Sequence, residues 1–281
     1  MLIDEFTLGL TLADLEKPTH ITLTTYDLDM TLFMAEFYDP DIEYDVWYWL
    51  ATRQRRIPDN VHLHQLNNLH CKFWYIKTPR QARLIITSTN ITYQMVHGCL
   101  QSYYACTAPL SKSHTGNHHT GNHHTGNHHT GNHQTGNHQT GNHPSHPFFA
   151  IFNVDLEEPL LSRVGARLVY NIPNKCNAIE KWYLAQKSLT VDANNINLAY
   201  LDGIKRKVLI RSELPPAVST IVCYYRLDHT SPNLTILSQP YETLYHYKLY
   251  ASDTALLVTS NNFSYHHKLN YELGIILHSS N

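Results

Sequence analysis

Two stretches decide the fold: LHCKFWYIK (69–77) with ARLIITSTNIT (82–92), and YHYKLYASD (245–253) with ALLVTSNNFS (255–264). They repeat each other. In each, His-x-Lys opens a β-like run, a second apolar run follows, and Thr-Ser-x-Asn ends it. The first copy supplies His70, Lys72 and Asn90, and the second His246, Lys248 and Asn262. Positions i and i+2 of a strand project from one face, so each His is expected beside its Lys. A lone His-x-Lys means little in a chain with 21 histidines. Two copies, each with its downstream Thr-Ser-x-Asn, are a specific signal.

Outward from these motifs, both halves of the chain carry short β-rich runs: HITLTTYDL (20–28), CKFWYI (71–76), RLIITS (83–88), KVLIRS (207–212), TIVCYYRL (220–227) and ALLVTS (255–260). Helices are expected over DVWYWLATRQRR (45–56) and NAIEKWYLAQKSL (177–189), the second with Ile179, Trp182, Tyr183 and Leu189 near helical spacing. Strands mixed with helices read as α/β. Residues 1–110 and 148–281 form the two halves, packed through their helices about a pseudo-two-fold axis. Between them, 111–147 reads as a disordered insertion. TGNH recurs there six times and brings eleven histidines, but no Val, Ile, Leu or aromatic residue able to bury a face. Clustered imidazoles attract transition metals, yet an even repeat is a duplicated unit rather than a ligand geometry, so an expanded coding repeat is the better reading.

Two such units facing each other place two imidazoles, two ammoniums and two amides in one cleft. That set suits phosphodiester cleavage. Lysines and asparagines hold nonbridging phosphate oxygens and stabilise the five-coordinate transition state. One imidazole can attack phosphorus while the other protonates the leaving oxygen and then activates water. The cations are built in, so no cofactor or metal is expected.

The duplicated HxK…TSxN pattern resembles the phospholipase D superfamily, and its details are most similar to the tyrosyl-DNA phosphodiesterase family. LLVTSNNFSYHHKLNYELGIIL (256–277) is similar to that family's second motif, and Lys77 stands where most phospholipase D relatives have Asp. The resemblance implies a duplicated phospholipase D-like fold, with a mixed β-sheet flanked by helices in each half. It implies His70 as nucleophile and His246 as general acid/base. Lys72, Lys248, Asn90 and Asn262 would bind phosphate, and Gln101 and Glu272 would orient the histidines. It also implies a DNA repair hydrolase that removes tyrosyl or other adducts from 3′ ends through a phosphohistidine. The second motif departs from the family by keeping Asp253, which supports Lys248 or turns the chain between two strands. The alternatives are a phospholipase D-type single-strand nuclease and a catalytically silent nucleic-acid-binding relative; the latter would have lost a His or Lys, and all four are present.

Composition narrows the partners. With 21 Lys plus Arg against 23 Asp plus Glu, the formal net charge is −2, which excludes histone-like binding by bulk positive charge. The expected partner is DNA, single-stranded or at a 3′ end with a covalently attached peptide, contacted locally by a monomer. Two arginine-lysine clusters, Arg53/Arg55/Arg56 and Lys205/Arg206/Lys207, read as solvated faces. No apolar run approaches the roughly 18 residues of a membrane span, and MLIDEFTLGL has acids where a signal peptide has bases. Five cysteines form no CxxC pair. Sequons fall on the phosphate-binding candidates Asn90 and Asn262 themselves. Together these features give a nuclear or cytoplasmic expectation.

Overall fold

HITLTTYDL forms strand β1 (His20–Leu28), as its alternation requires: Ile21 and Leu23 are fully buried among apolar neighbours, while Thr22 and Thr24 face the other way. Asp29 then caps α1 (Met30–Glu36), its carboxylate accepting from the N–H groups of Thr31 and Leu32. The first half continues with β2 (Glu43–Ala51), β3 (Val61–Gln65), β4 (Phe73–Lys77), β5 (Gln81–Thr87), α2 (Tyr93–His97), β6 (Cys99–Leu100) and β7 (Tyr103–Pro109). After α3 (Pro147–Ala150) come β8 (Ala166–Ile172), β9 (Cys176–Asn177), α4 (Ala178–Ala185), β10 (Ser188–Ala193), β11 (Lys207–Arg211), β12 (Leu234–Leu237), β13 (Leu244–Tyr245), β14 (Lys248–Ala251), β15 (Ala255–Thr259) and β16 (Glu272–His278). This computed structural model describes residues 16–52, 56–110, 146–156, 166–193, 207–211, 234–237, 244–246, 248–264 and 268–279. The TGNH repeat, TIVCYYRL, Arg53, Arg55, Lys205 and Arg206 lie outside the described residues; Arg56 is exposed and Lys207 opens β11.

The strands form two sheets of one design. The first has the order β3-β2-β1-β4-β5-β7, and the second β12-β11-β10-β14-β15-β16, extended by β8 and β9. In both, three parallel strands are followed by three antiparallel ones. The repeat read in the motifs is therefore a repeat of whole sheets, related by a pseudo-two-fold.

The layers differ from the expected helix-mediated packing. The two sheets lie face to face, because β4, β5, β15 and β16 carry apolar residues on both faces. Phe73, Tyr75, Leu84, Ile86, Val258, Leu273 and Ile275 fill a shared central core. Their neighbours Trp74, Ile76 and Ile85 point outward beneath α1 and α2, and Leu257 and Ile276 point outward beneath α4. The order is helices, sheet, sheet, helix. Phe148, Phe149 and Phe152 plug the central core with no exposed surface, at about 1.5–3 kcal/mol of burial each.

A second correction concerns residues 45–56, expected as a helix. They lie mainly in β2, with Tyr44 and Val46 buried on one face and Trp47 and Trp49 half-buried on the other. A parallel strand covered on both sides has no polar face, so VWYWL hides its alternation. The expected helix over 177–189 forms as α4, then gives way to β10. No helix among the described residues is long and apolar enough to cross a membrane.

Candidate active site

The two motif copies meet first through backbone. Leu69 and Tyr271 form a parallel bridge, and the N–H groups of His70 and Cys71 both donate to the Tyr271 carbonyl, at 3.1 and 2.7 Å. The second copy mirrors this: β13 runs parallel to β6, with Leu244 opposite Cys99 and Tyr245 opposite Leu100. One position further along each register stand the functional side chains. His70 Nδ1 lies 2.8 Å from Glu272 Oε1, and His246 Nδ1 lies 3.1 Å from Gln101 Oε1. Each histidine thus takes its partner from the opposite half.

The expected strand placement of the His-x-Lys motifs needs correction. β4 starts at Phe73 and β14 at Lys248, so both histidines precede their strands. Side-chain bonds still tie each lysine back to its histidine. Lys72 Nζ donates to the His70 carbonyl at 2.6 Å. Lys248 Nζ lies 3.0 and 3.2 Å from the two ring nitrogens of His246 and 3.4 Å from its carbonyl. Both lysines are fully buried.

The Thr-Ser-x-Asn turns share most of their bonds, although Thr87 also donates to Thr89 Oγ1 where the second copy has Asn261. Thr87 and Thr259 hydroxyls donate to the carbonyls of Ser102 and Leu273, and the N–H groups of Thr89 and Asn261 donate back to those threonines. Ser88 Oγ donates to Gln101 Oε1 at 2.8 Å, and Ser260 Oγ to Glu272 Oε2 at 2.6 Å. Asn90 and Asn262 lie at the turn ends, half-buried, each with Oδ1 buried and without a hydrogen-bond partner.

Electrostatics join both halves into one site. Burial lowers the pKa of His70, as do Lys72 and Lys248, against the opposing pull of Glu272. His246 is held well below its ordinary value, first by burial and then by Lys248, Lys72 and His70. Burial pushes Lys72 down to about 8, although Glu272 opposes it. Burial also disfavours the Glu272 carboxylate, but His70, Lys72 and Ser260 together outweigh it and hold the group below the usual range.

Two motif positions lie away from this cluster. Lys77 stands over the Tyr75 ring at the far end of β4. Asp253 accepts from Ser188 Oγ at 2.8 Å in the β14–β15 turn, away from Lys248. Sequence reasoning passed over three residues. Ser88 and Ser260 sit inside the motifs, between the positions chosen. Tyr26 packs edge-on to His70 at 5.5 Å between ring centroids and lies 6.0 Å from Lys72 Nζ. Its signal was the alternation of β1, which sets Tyr26 on the face of Thr22 and Thr24.

No protein family's sequence profile matches the chain, and no curated protein matches it in sequence. Solved structures do. Yeast tyrosyl-DNA phosphodiesterase matches with a TM-score of 0.62 at 12% identity, over 94% of this chain and 84% of that one. A histidine-to-asparagine variant of the yeast enzyme matches with a TM-score of 0.60 at 12% identity, over 93% and 82%. A histidine-to-alanine variant gives 0.57 at 11%, over 93% and 83%. Two sheets of equivalent order, joined where two His-x-Lys motifs exchange partners, thus give this chain the duplicated phospholipase D-like fold in the form seen in yeast tyrosyl-DNA phosphodiesterase.

Proposed function

We propose that the chain is a phosphodiester hydrolase of nucleic acid, removing tyrosyl and related adducts from DNA 3′ ends through a phosphohistidine at His70. The observation that carries this reading is the unequal partnering of the two histidines. Glu272 is an anion. Its Oε1 stands 2.8 Å from His70 Nδ1, which favours the tautomer protonated at Nδ1, leaves the Nε2 lone pair outward, and stabilises the positive ring that results when Nε2 bonds to phosphorus. Gln101 is neutral. It fixes His246 in the same tautomer without the stabilisation a carboxylate gives an imidazolium, so His246 gives up its proton readily.

In the first step, His70 Nε2 attacks phosphorus, the bond to the tyrosyl oxygen breaks, and His246 donates a proton to that oxygen. A bound phosphodiester brings negative charge beside His246 and favours its protonated form for this task. In the second, His246 takes a proton from water, whose oxygen attacks phosphorus and displaces His70. Lys72, Lys248, Asn90 and Asn262 hold the nonbridging oxygens through both steps. The lysine charges stand in for a metal ion, and the DNA partner is gripped at its reacting phosphate.

The test is turnover of a 3′-phosphotyrosyl oligonucleotide in EDTA, beside an unmodified strand and phosphatidylcholine. Cleavage of the first alone is expected. Cleavage of the unmodified strand makes the chain a nuclease, and cleavage of none of the three removes the reading. With the tyrosyl substrate, His246→Asn is expected to accumulate covalent protein–DNA on a denaturing gel. A phenol, with pKa about 10, leaves with little help, so the second step suffers most. His70→Ala shows no such band. A covalent band in His70→Ala would reverse the roles.

A further inference from the structure

Ser88 and Ser260 are fully buried, and each bonds within its own half to the residue that faces the opposite half's histidine. Ser88 Oγ accepts the Ser102 N–H at 3.0 Å and donates to Gln101 Oε1 at 2.8 Å. Ser260 Oγ accepts the Leu273 N–H at 3.1 Å and donates to Glu272 Oε2 at 2.6 Å. In each case the backbone amide occupies a lone pair of the hydroxyl and turns its proton toward the side-chain acceptor. That acceptor faces a histidine from the other motif copy: Ser88 leads through Gln101 to His246, and Ser260 leads through Glu272 to His70. Gln101 is locked in addition by its Nε2, which donates to the Met95 carbonyl at 3.2 Å. A flipped amide would set its oxygen against that carbonyl and lose the Ser88 bond.

We propose that Ser88 and Ser260 are positioning residues whose influence crosses the pseudo-two-fold. Ser88, in the half that contains His70, sets the orientation and proton affinity of His246. Ser260, in the half that contains His246, sets those of His70. A serine that only braced its own turn would act on Asn90 or Asn262 and would not distinguish the histidines of the opposite half.

The inference rests on the proposed reaction for its kinetic arm alone. The first arm uses no substrate: imidazole NMR titration of the full chain, with His70 and His246 signals assigned by their disappearance in His70→Gln and His246→Gln. Ser88→Ala is expected to shift the His246 titration and leave His70 in place, and Ser260→Ala to do the reverse. Ser88→Cys and Ser260→Cys keep the volume with a weaker donor and give the same directions should an alanine variant unfold. In the second arm, single-turnover cleavage of 3′-phosphotyrosyl DNA, Ser260→Ala slows adduct formation about tenfold, whereas Ser88→Ala slows adduct hydrolysis about tenfold. Adduct therefore builds up only with Ser88→Ala. Threonine at either position restores the wild-type pattern. A shift of His70 by Ser88→Ala, an equal shift of both histidines, or no shift in either overturns the proposal. If the wild-type chain cleaves no phosphodiester, the reaction assignment fails while the titration still decides the relay.

Discussion

Leu69 and Tyr271 lie opposite each other in a parallel bridge between the two halves, and the next residues along each strand are the pair His70 and Glu272. Backbone register between the halves thus controls side-chain chemistry. A slip of one position would turn Glu272 to the other face of β16 and away from His70, so small changes in the packing of β16 carry into the site.

Gly274 tests this sensitivity. It lies in β16 opposite Thr259, and a Cβ there would come within 2.8 Å of Leu257 Cδ1 and 2.9 Å of Thr259 Cβ. Gly274→Ala is expected to destabilise the fold by about 1–3 kcal/mol and to lower phosphodiesterase turnover. Thermal melting with paired turnover measurements checks both.

Gln101→Glu puts a carboxylate where His246 now meets a neutral oxygen. An opposite charge at this range raises a histidine pKa by about 1–3 units. The imidazolium is retained to higher pH, so water activation is hindered. The acid limb of the pH–rate profile should move upward and covalent adduct should persist. An unchanged profile contradicts the assigned role of Gln101.

Stability should fall on acidification. His246 is held well below its ordinary value of 6.5, and His70 is lowered from the same value. Below pH 6.5 the unfolded chain binds protons that the native site refuses, so stability drops as pH falls, approaching about 1.4 kcal/mol per pH unit for each group. Glu272, lowered from 4.5, adds stability that is lost only at still lower pH. Melting temperature should decline between pH 7 and 5.5, and His246→Gln should flatten that decline. An equally steep decline in the variant argues against a neutral buried His246.

Phe149 sits edge-on to Phe73 at 5.1 Å and to Phe148 at 5.6 Å, without exposed surface. Phe149→Ala leaves a void between the sheets and should cost about 3–5 kcal/mol, read as a shifted denaturant midpoint with little change in slope.

Much of the fold was legible because β1 alternates openly, because β5 and β15 stand out as short apolar runs, and because duplication doubled a weak motif into a specific one. β2 was not, since Trp47 and Trp49 cover one face while Val46 and Tyr44 fill the other, and no polar period survives. The exchange of histidine partners was invisible to spacing. Gln101 and His246 are 145 residues apart in the chain, and only the pairing of β6 with β13 brings them together. Resemblance supplied the orienting residues Gln101 and Glu272, and geometry supplied the serines behind them.

Because each histidine leans on the opposite half, neither half holds a finished site. A symmetric assembly of two copies of one half would give two histidines with identical partners, both Glu or both Gln, and leave only the orientation of the bound substrate to tell attacker from proton donor. Joining the halves in one polypeptide lets a single carboxylate-to-amide difference, Glu272 against Gln101, break that equivalence. The duplicated chain can therefore evolve a directional reaction from a symmetric frame.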